Sequence, residues 1–249
     1  MAVTVRAETS ALLSEISLQL DEKQTLPLGP KVSLKLTASR PKKLAKSLSQ
    51  WSHIKVVQQH QDSLELTIEE TSSFTGSPAV KHSSASFVID VDEANTKTFI
   101  SSFPNIDADN WQVDELSAYV NDYIDDVTYI HGFNIASVVA EQRSGDCTEH
   151  AILVTALARG LGLPSRVIIG TVIVEEEADV SAFGHAWSEV WHQGQWHLLD
   201  AALYELKDTP RFYLPAAALD NEGPGFTLSL AMATALMPIK LTEIKSAIQ

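Results

Sequence analysis

The stretch Arg143-Ser144-Gly145-Asp146-Cys147-Thr148-Glu149-His150 holds the one cysteine of the chain and decides how the rest is read. Asp146 is a residue type that caps helix N-termini, and Glu149 then falls at the third helical position, completing a capping box. A helix therefore starts at Cys147. Apolar Ile152, Leu153, Ala156 and Leu157 carry it forward, and Gly162 followed by Pro164 stops it. A cysteine at the first helical position meets outward-pointing backbone N–H groups and the positive end of the helix dipole. A thiolate is stabilised there, with pKa values of roughly 3.5–7.5 against about 8.5 for free cysteine. The same N–H groups can donate to an oxyanion during acyl transfer. Gly145 lets the chain turn sharply and leaves one side of the sulfur open. Glu149 is read as a cap, not as a catalytic group. A lone thiol is also commonly a small buried hydrophobe, so the reading depends on what accompanies it.

Toward the C-terminus, strands are expected over Arg166–Val174, Gly184–Trp191 and Gln195–Asp200. A tight turn at Gln193-Gly194 pairs His192 with Gln195 and Trp187 with Asp200. Side chains alternate between faces, so His185, Trp187 and Glu189 share a face with Leu198 and Asp200. His185 and Asp200 become diagonal neighbours, within reach for a carboxylate to hold an imidazole N–H. A base oriented by an acceptor is what an activated thiol requires. A one-residue bulge breaks this geometry, so the argument depends on the register. Trp187, beside His185, is assigned to substrate binding as a cleft wall, and Trp191 and Trp196 to core or cleft walls. His192 and His197 alternate to the opposite face and are expected to be exposed. Glu175-Glu176-Glu177 is expected as a solvated rim.

Toward the N-terminus, Val113, Leu116, Val120, Tyr123 and Ile124 recur at three- and four-residue steps and mark an amphipathic helix. Residues 1–100 read as β-rich. Val32–Thr37, Ser63–Ile68 and Ser86–Val91 alternate apolar and polar residues, with turn clusters such as Pro27–Pro30 between them. A helix followed by antiparallel strands is an α+β pattern. The expected organisation is a small β-rich domain over residues 1–103 and a catalytic domain over 104–249. The tail beyond Ala201 is expected to be partly apolar and packed.

The composition of the 249 residues is that of a soluble globular protein, 45% hydrophobic and 20% charged. The net charge of −14 is uneven: residues 1–60 hold nine Lys/Arg against four Asp/Glu, and the rest hold nine against 28. The basic run from Arg40 to Lys46 has no stacking aromatics beside it, so it is read as a solvated face and nucleic acid is disfavoured. No apolar run approaches the ~20 residues of a membrane-spanning helix, so no membrane insertion is expected. Met1 to Leu20 contains no apolar signal segment, and a cytoplasmic location is expected. One cysteine permits no intrachain disulfide and no cysteine-based zinc knuckle. Cys147, His150, His185 and Glu189 can be written as a metal set, but the cap and the hairpin already account for most of it. No metal or cofactor is expected. His150, three residues after Cys147, is a rival base.

The runs Gly145–Ala151, Leu161–Val167, Gly184–Trp191 and Trp196–Asp200 together resemble the core of the transglutaminase-like superfamily, over roughly Asp107 to Leu203. The resemblance implies a papain-like α+β core, with the cysteine-bearing helix packed on an antiparallel sheet. In it Cys147 attacks an acyl carbon, His185 shuttles the proton and Asp200 orients His185. Ala201 stands where the family often has proline. The side-chain oxyanion donor that some relatives use upstream of the cysteine is not placed; Gln142, Asn134 and Trp111 are candidates. The implied function is acyl transfer on an amide or peptide bond through a thioester. Water as acceptor makes an amidase or peptidase, which is favoured by analogy; an amine makes a cross-linking transglutaminase. A non-catalytic binding module using the same cleft is the reading of a different class. The implied partner is a peptide or protein amide.

Overall fold

A computed structural model describes residues 13, 16–20, 27–104, 112–127, 133–176, 179–206 and 208–246. The first sheet is built on strict alternation. In β2 (Lys31–Ala38) the side chains of Val32, Leu34, Leu36 and Ala38 are buried, and in β4 (Ser63–Glu69) those of Leu64, Leu66 and Ile68. The two strands run antiparallel with Leu34 opposite Leu66, so the apolar sets fall on one face. With β1 (Gln19–Leu20), β3 (Ile54–Gln59) and β9 (Pro238–Ser246), the spatial order is β1-β9-β2-β4-β3. Helix α1 (Pro41–Leu48) starts with proline at its first turn and buries Leu44 and Leu48, leaving Lys42, Lys43 and Lys46 exposed.

The second sheet has the order β7-β6-β5-β8, with β5 (Ser165–Glu176), β6 (Asp179–His192), β7 (Gln195–Leu199) and β8 (Arg211–Ala218). One face packs on the first sheet: Ile168, Val172, Val174, Trp187, Phe212 and Leu214 share a core with Val32, Leu34, Leu36, Leu66 and Ile68. The other face, through Val167, Ile169, Ala186, Val190 and Ala216, carries a helical layer. That layer holds α2 (Ala94–Ser101), α3 (Glu115–Tyr123), α4 (Ala136–Gln142), α5 (Cys147–Gly160) and α6 (Phe226–Thr234). The fold is α+β, as expected, in three layers. Every side chain from Cys147 to Arg159 is buried, and the polar ones among them are held by partners, Thr155 by Ser188 and Arg159 by Glu222.

Three expectations are corrected. Ser86–Val91 is not a strand: Val88 and Ile89 are both buried, which a strand with one apolar face does not allow, and Ser86 Oγ accepts from Ile89 N (2.9 Å) to close a turn. Helices α1 and α2 fall within or at the edge of residues 1–100, which the sequence reading took as β-rich. The layers also do not part after residue 103. Strand β9, from the C-terminal tail, lies between β1 and β2 and pairs antiparallel with β2 from Val32↔Ser246 to Ala38↔Pro238. The buried Arg166 of β5 donates from Nε to Glu189 Oε2 (2.9 Å), while its guanidinium lies 3.8 Å from the Phe74 ring centroid. Trp51 donates to the same Glu189 carboxylate. Residues on both sides of the expected boundary therefore make one continuous core.

Candidate active site

The capping box expected at Cys147 is present. Asp146 Oδ1 accepts from Thr148 N (2.8 Å) and Thr148 Oγ1 (2.7 Å), and Glu149 Oε2 accepts from Asp146 N (3.0 Å). The Asp146 side chain also accepts from the backbone N–H of Glu149. The cap thus uses the amides of Thr148 and Glu149, and among the described residues none accepts from the amide of Cys147. That N–H is the donor the helix end leaves for a ligand. Gly145 has φ +154, and a Cβ on it sits 2.3 Å from Glu149 Cβ, so the cap closes only over glycine.

The hairpin forms in the expected register, with His192 opposite Gln195 and Ser188 opposite Leu199. His185 Nε2 lies 2.8 Å from Asp200 Oδ2. An ionised carboxylate only accepts, so Nε2 carries the hydrogen and Nδ1 keeps the lone pair a thiol can protonate. Asp200 also accepts from Tyr213 Oη (2.7 Å) and from Leu203 N (3.1 Å). Burial pushes the Asp200 carboxyl up, but the charge of His185 and these hydrogen bonds outweigh it and hold the group below its ordinary range.

Strand β6 has a gap on its outer edge at the place where the cysteine docks. Residues 16–18 cover one stretch, with Leu18 N donating to Ala182 O and Gly184 N to Ile16 O, each at 2.8 Å. A Cβ on Gly184 meets Leu13 O at 2.4 Å, so the close approach requires glycine. Beyond the gap, β7 covers β6 from Ser188 onward. The Ala186 backbone N–H in the gap lies near Cys147 and acts to lower its pKa. The net direction is nevertheless upward: burial, then the Asp146 carboxylate, push the thiol well above its ordinary range. This corrects the expectation of a thiolate stabilised by the helix end.

Cys147, His150 and His185 line one cleft of about 140 Å³, with Ile124, Val127, Phe183 and Leu203 as its apolar walls. Trp187 is not one of these walls. It is 1% exposed in the core between the sheets, its ring stacked 6.4 Å from His185 and edge-on to Tyr213 at 5.1 Å. It supports His185 from below and does not face a substrate in the cleft. Glu189, engaged by Arg166 and Trp51, is not brought to the cleft either, so the four-residue metal set does not assemble. His192 and His197 are half-buried, not exposed, and Glu175 Oε2 accepts from Leu28 N (2.7 Å) where a solvated rim was expected. Glu177 and the Glu176 side chain lie outside the described residues.

Of the oxyanion candidates, Gln142 is exposed on α4 and Asn134 is held through its backbone N–H by Glu149 Oε1 (3.1 Å); neither lines the cleft. Trp111 lies outside the described residues. Asn121 of α3, missed in the sequence, does line the cleft and donates from Nδ2 to Ala201 O (3.0 Å). Its only signal was a polar residue beside apolar Val120. Tyr213 was missed because β8 reaches the site through a pairing distant in sequence.

Residues 103–201 match the family model of the transglutaminase-like superfamily, a span that contains Cys147, His185 and Asp200. The resemblance read from the motifs holds over that span. In structure the chain is similar to a candidate cysteine protease from Cytophaga hutchinsonii (14% identity, 76% of each chain covered, TM-score 0.44). It is also similar to the periplasmic domain of TgpA from Pseudomonas aeruginosa (15% identity, 82% of this chain and 95% of that one, TM-score 0.48). No curated protein sequence matches the chain.

Proposed function

We propose that the chain is a cysteine-dependent acyl-transfer enzyme that hydrolyses amide or peptide bonds through a thioester on Cys147. The observation that carries this reading is that His185, whose Nε2 lies 2.8 Å from Asp200 Oδ2, lines the same cleft as a cysteine at a helix N-terminus. Because the thiol is pushed up, the resting site holds a neutral thiol. As the sulfur attacks the amide carbon, its proton passes to His185 Nδ1. The carbonyl oxygen takes the negative charge against the amide N–H of Cys147. The C–N bond breaks as His185 returns the proton to the leaving amine, and the thioester remains. Water then attacks the thioester, giving a proton to His185; the C–S bond breaks and the sulfur recovers that proton. Asp200, held by Tyr213 and Leu203, keeps the imidazole oriented and offsets its transient charge.

Water is taken as the acceptor by analogy with hydrolytic members of the superfamily. The cleft opens to solvent beside Cys147 and His185, and the amine arm of the test below decides between the two acceptors. The substrate on this reading is a peptide or protein amide, with no cofactor.

The test is acylation by p-nitrophenyl acetate, followed by nitrophenolate release and intact mass. Wild type is expected to give a burst and a single acetyl adduct on Cys147, with none in Cys147→Ala. His185→Ala is expected to slow acylation by about 10²-fold or more. Deacylation that does not accelerate on adding a primary amine supports hydrolysis, and acceleration turns the reading to cross-linking. A folded wild type that never acylates leaves a binding module in its place.

A further inference from the structure

His150 is not used by the mechanism above, yet it lines the same cleft as Cys147 and His185. It is 2% exposed, and its Nδ1 lies 2.7 Å from the carbonyl oxygen of Asp146, one helical turn back. A carbonyl only accepts, so Nδ1 carries the hydrogen and Nε2 keeps its lone pair. Nε2 lies across the ring from that bond and has no partner among the described residues. Burial, first among its causes, also pushes the His150 pKa down, which keeps the ring neutral. The cleft therefore holds two imidazole lone pairs. His185 Nδ1 is committed to the thiol proton, and His150 Nε2 is not.

We propose that His150 Nε2 is a specificity determinant that accepts a hydrogen bond from an N–H of the substrate beside the reacting carbon, and so selects amides over the corresponding esters. This rests on the reading of Cys147 as the reacting group. An acceptor that opens on the cleft loses its water when a ligand fills the cleft, so a ligand that cannot donate to it is disfavoured, and an ester offers only oxygen lone pairs there. The apolar walls Ile124, Phe183 and Leu203 provide no competing donor. His150 is thus a positioning residue for the substrate and not a second base.

The single cysteine gives a direct test that needs no turnover. Alkylation of Cys147 by iodoacetamide, which carries N–H, is compared with alkylation by methyl iodoacetate, which does not, each normalised to its rate with free cysteine. Wild type is expected to favour the amide by about threefold to tenfold, the effect of one hydrogen bond. His150→Leu should remove that preference, and His150→Gln, which can present an oxygen to the cleft, should restore part of it. A wild-type ratio equal to that of free cysteine, or a full preference kept in His150→Leu, overturns the proposal. If His150→Leu does not fold, as judged by its melting curve, the wild-type ratio together with His150→Gln decides. Because the expected penalty on an ester is at most about tenfold, alkylation with the expected amide preference and no detectable acylation by p-nitrophenyl acetate marks failure of the catalytic reading alone.

Discussion

At the scale of single residues, Asp146 serves two opposed ends. It caps α5 through Thr148, and its carboxylate is the first charge that pushes the Cys147 thiol up. Asparagine caps helices about as well as aspartate, so Asp146→Asn removes the charge and keeps the cap. A raised thiol pKa means less thiolate at a given pH. Removing one of its causes should therefore move the pH profile of Cys147 alkylation toward acid, with a melting temperature close to wild type. An unchanged or more alkaline profile counts against Asp146 as a cause. The cap was legible because it spans four consecutive residues. The direction of the thiol pKa was not: the helix end argues downward, and burial, which argues upward, comes from residues distant in sequence.

At the scale of the element, the N-terminus of α5 stores a proton. Glu149 is buried against Asp146, and its carboxyl is pushed up to about 8 by burial and then by that neighbouring charge. The folded chain thus keeps a proton that the unfolded chain releases above about pH 4.5. This contribution to stability is complete at low pH and is lost as pH rises toward 8, by up to about 1.4 kcal/mol per pH unit. Glutamine keeps the capping-box geometry without titrating. Urea unfolding between about pH 5 and pH 8 should show wild type losing stability relative to Glu149→Gln as pH rises. Parallel curves for the two proteins would falsify the assignment. The β6–β7 hairpin was legible for the same reason as the cap. A two-residue turn fixes the register locally, and the period of two then places His185 and Asp200 on one face.

At the scale of the whole molecule, the two sheets are interdependent. The face of β5, β6 and β8 that carries Ile168, Val172, Trp187, Phe212 and Leu214 is covered by β2 and β4, and β2 is in turn paired with β9. A fragment of residues 104–249 uncovers that face and leaves β9 without its β2 partner. Such a fragment should bind an apolar dye strongly and lack a cooperative melt, whereas the full chain melts in one transition. A cooperatively folded 104–249 fragment would restore the expected two-domain division.

The sequence by itself determined the helix start at Cys147, the hairpin that joins His185 to Asp200, and hence the candidate triad. Each rests on contacts within a few residues or across one tight turn. Only the tertiary structure decided that Trp187 lies under the site and not in it. The same holds for the strand-edge gap that directs the Ala186 N–H at the sulfur, for Asn121 and Tyr213 at the site, and for β9 as a strand of the N-terminal sheet. Those outcomes depend on which face of a strand meets which layer, and alternation along a chain assigns two faces without saying what covers either.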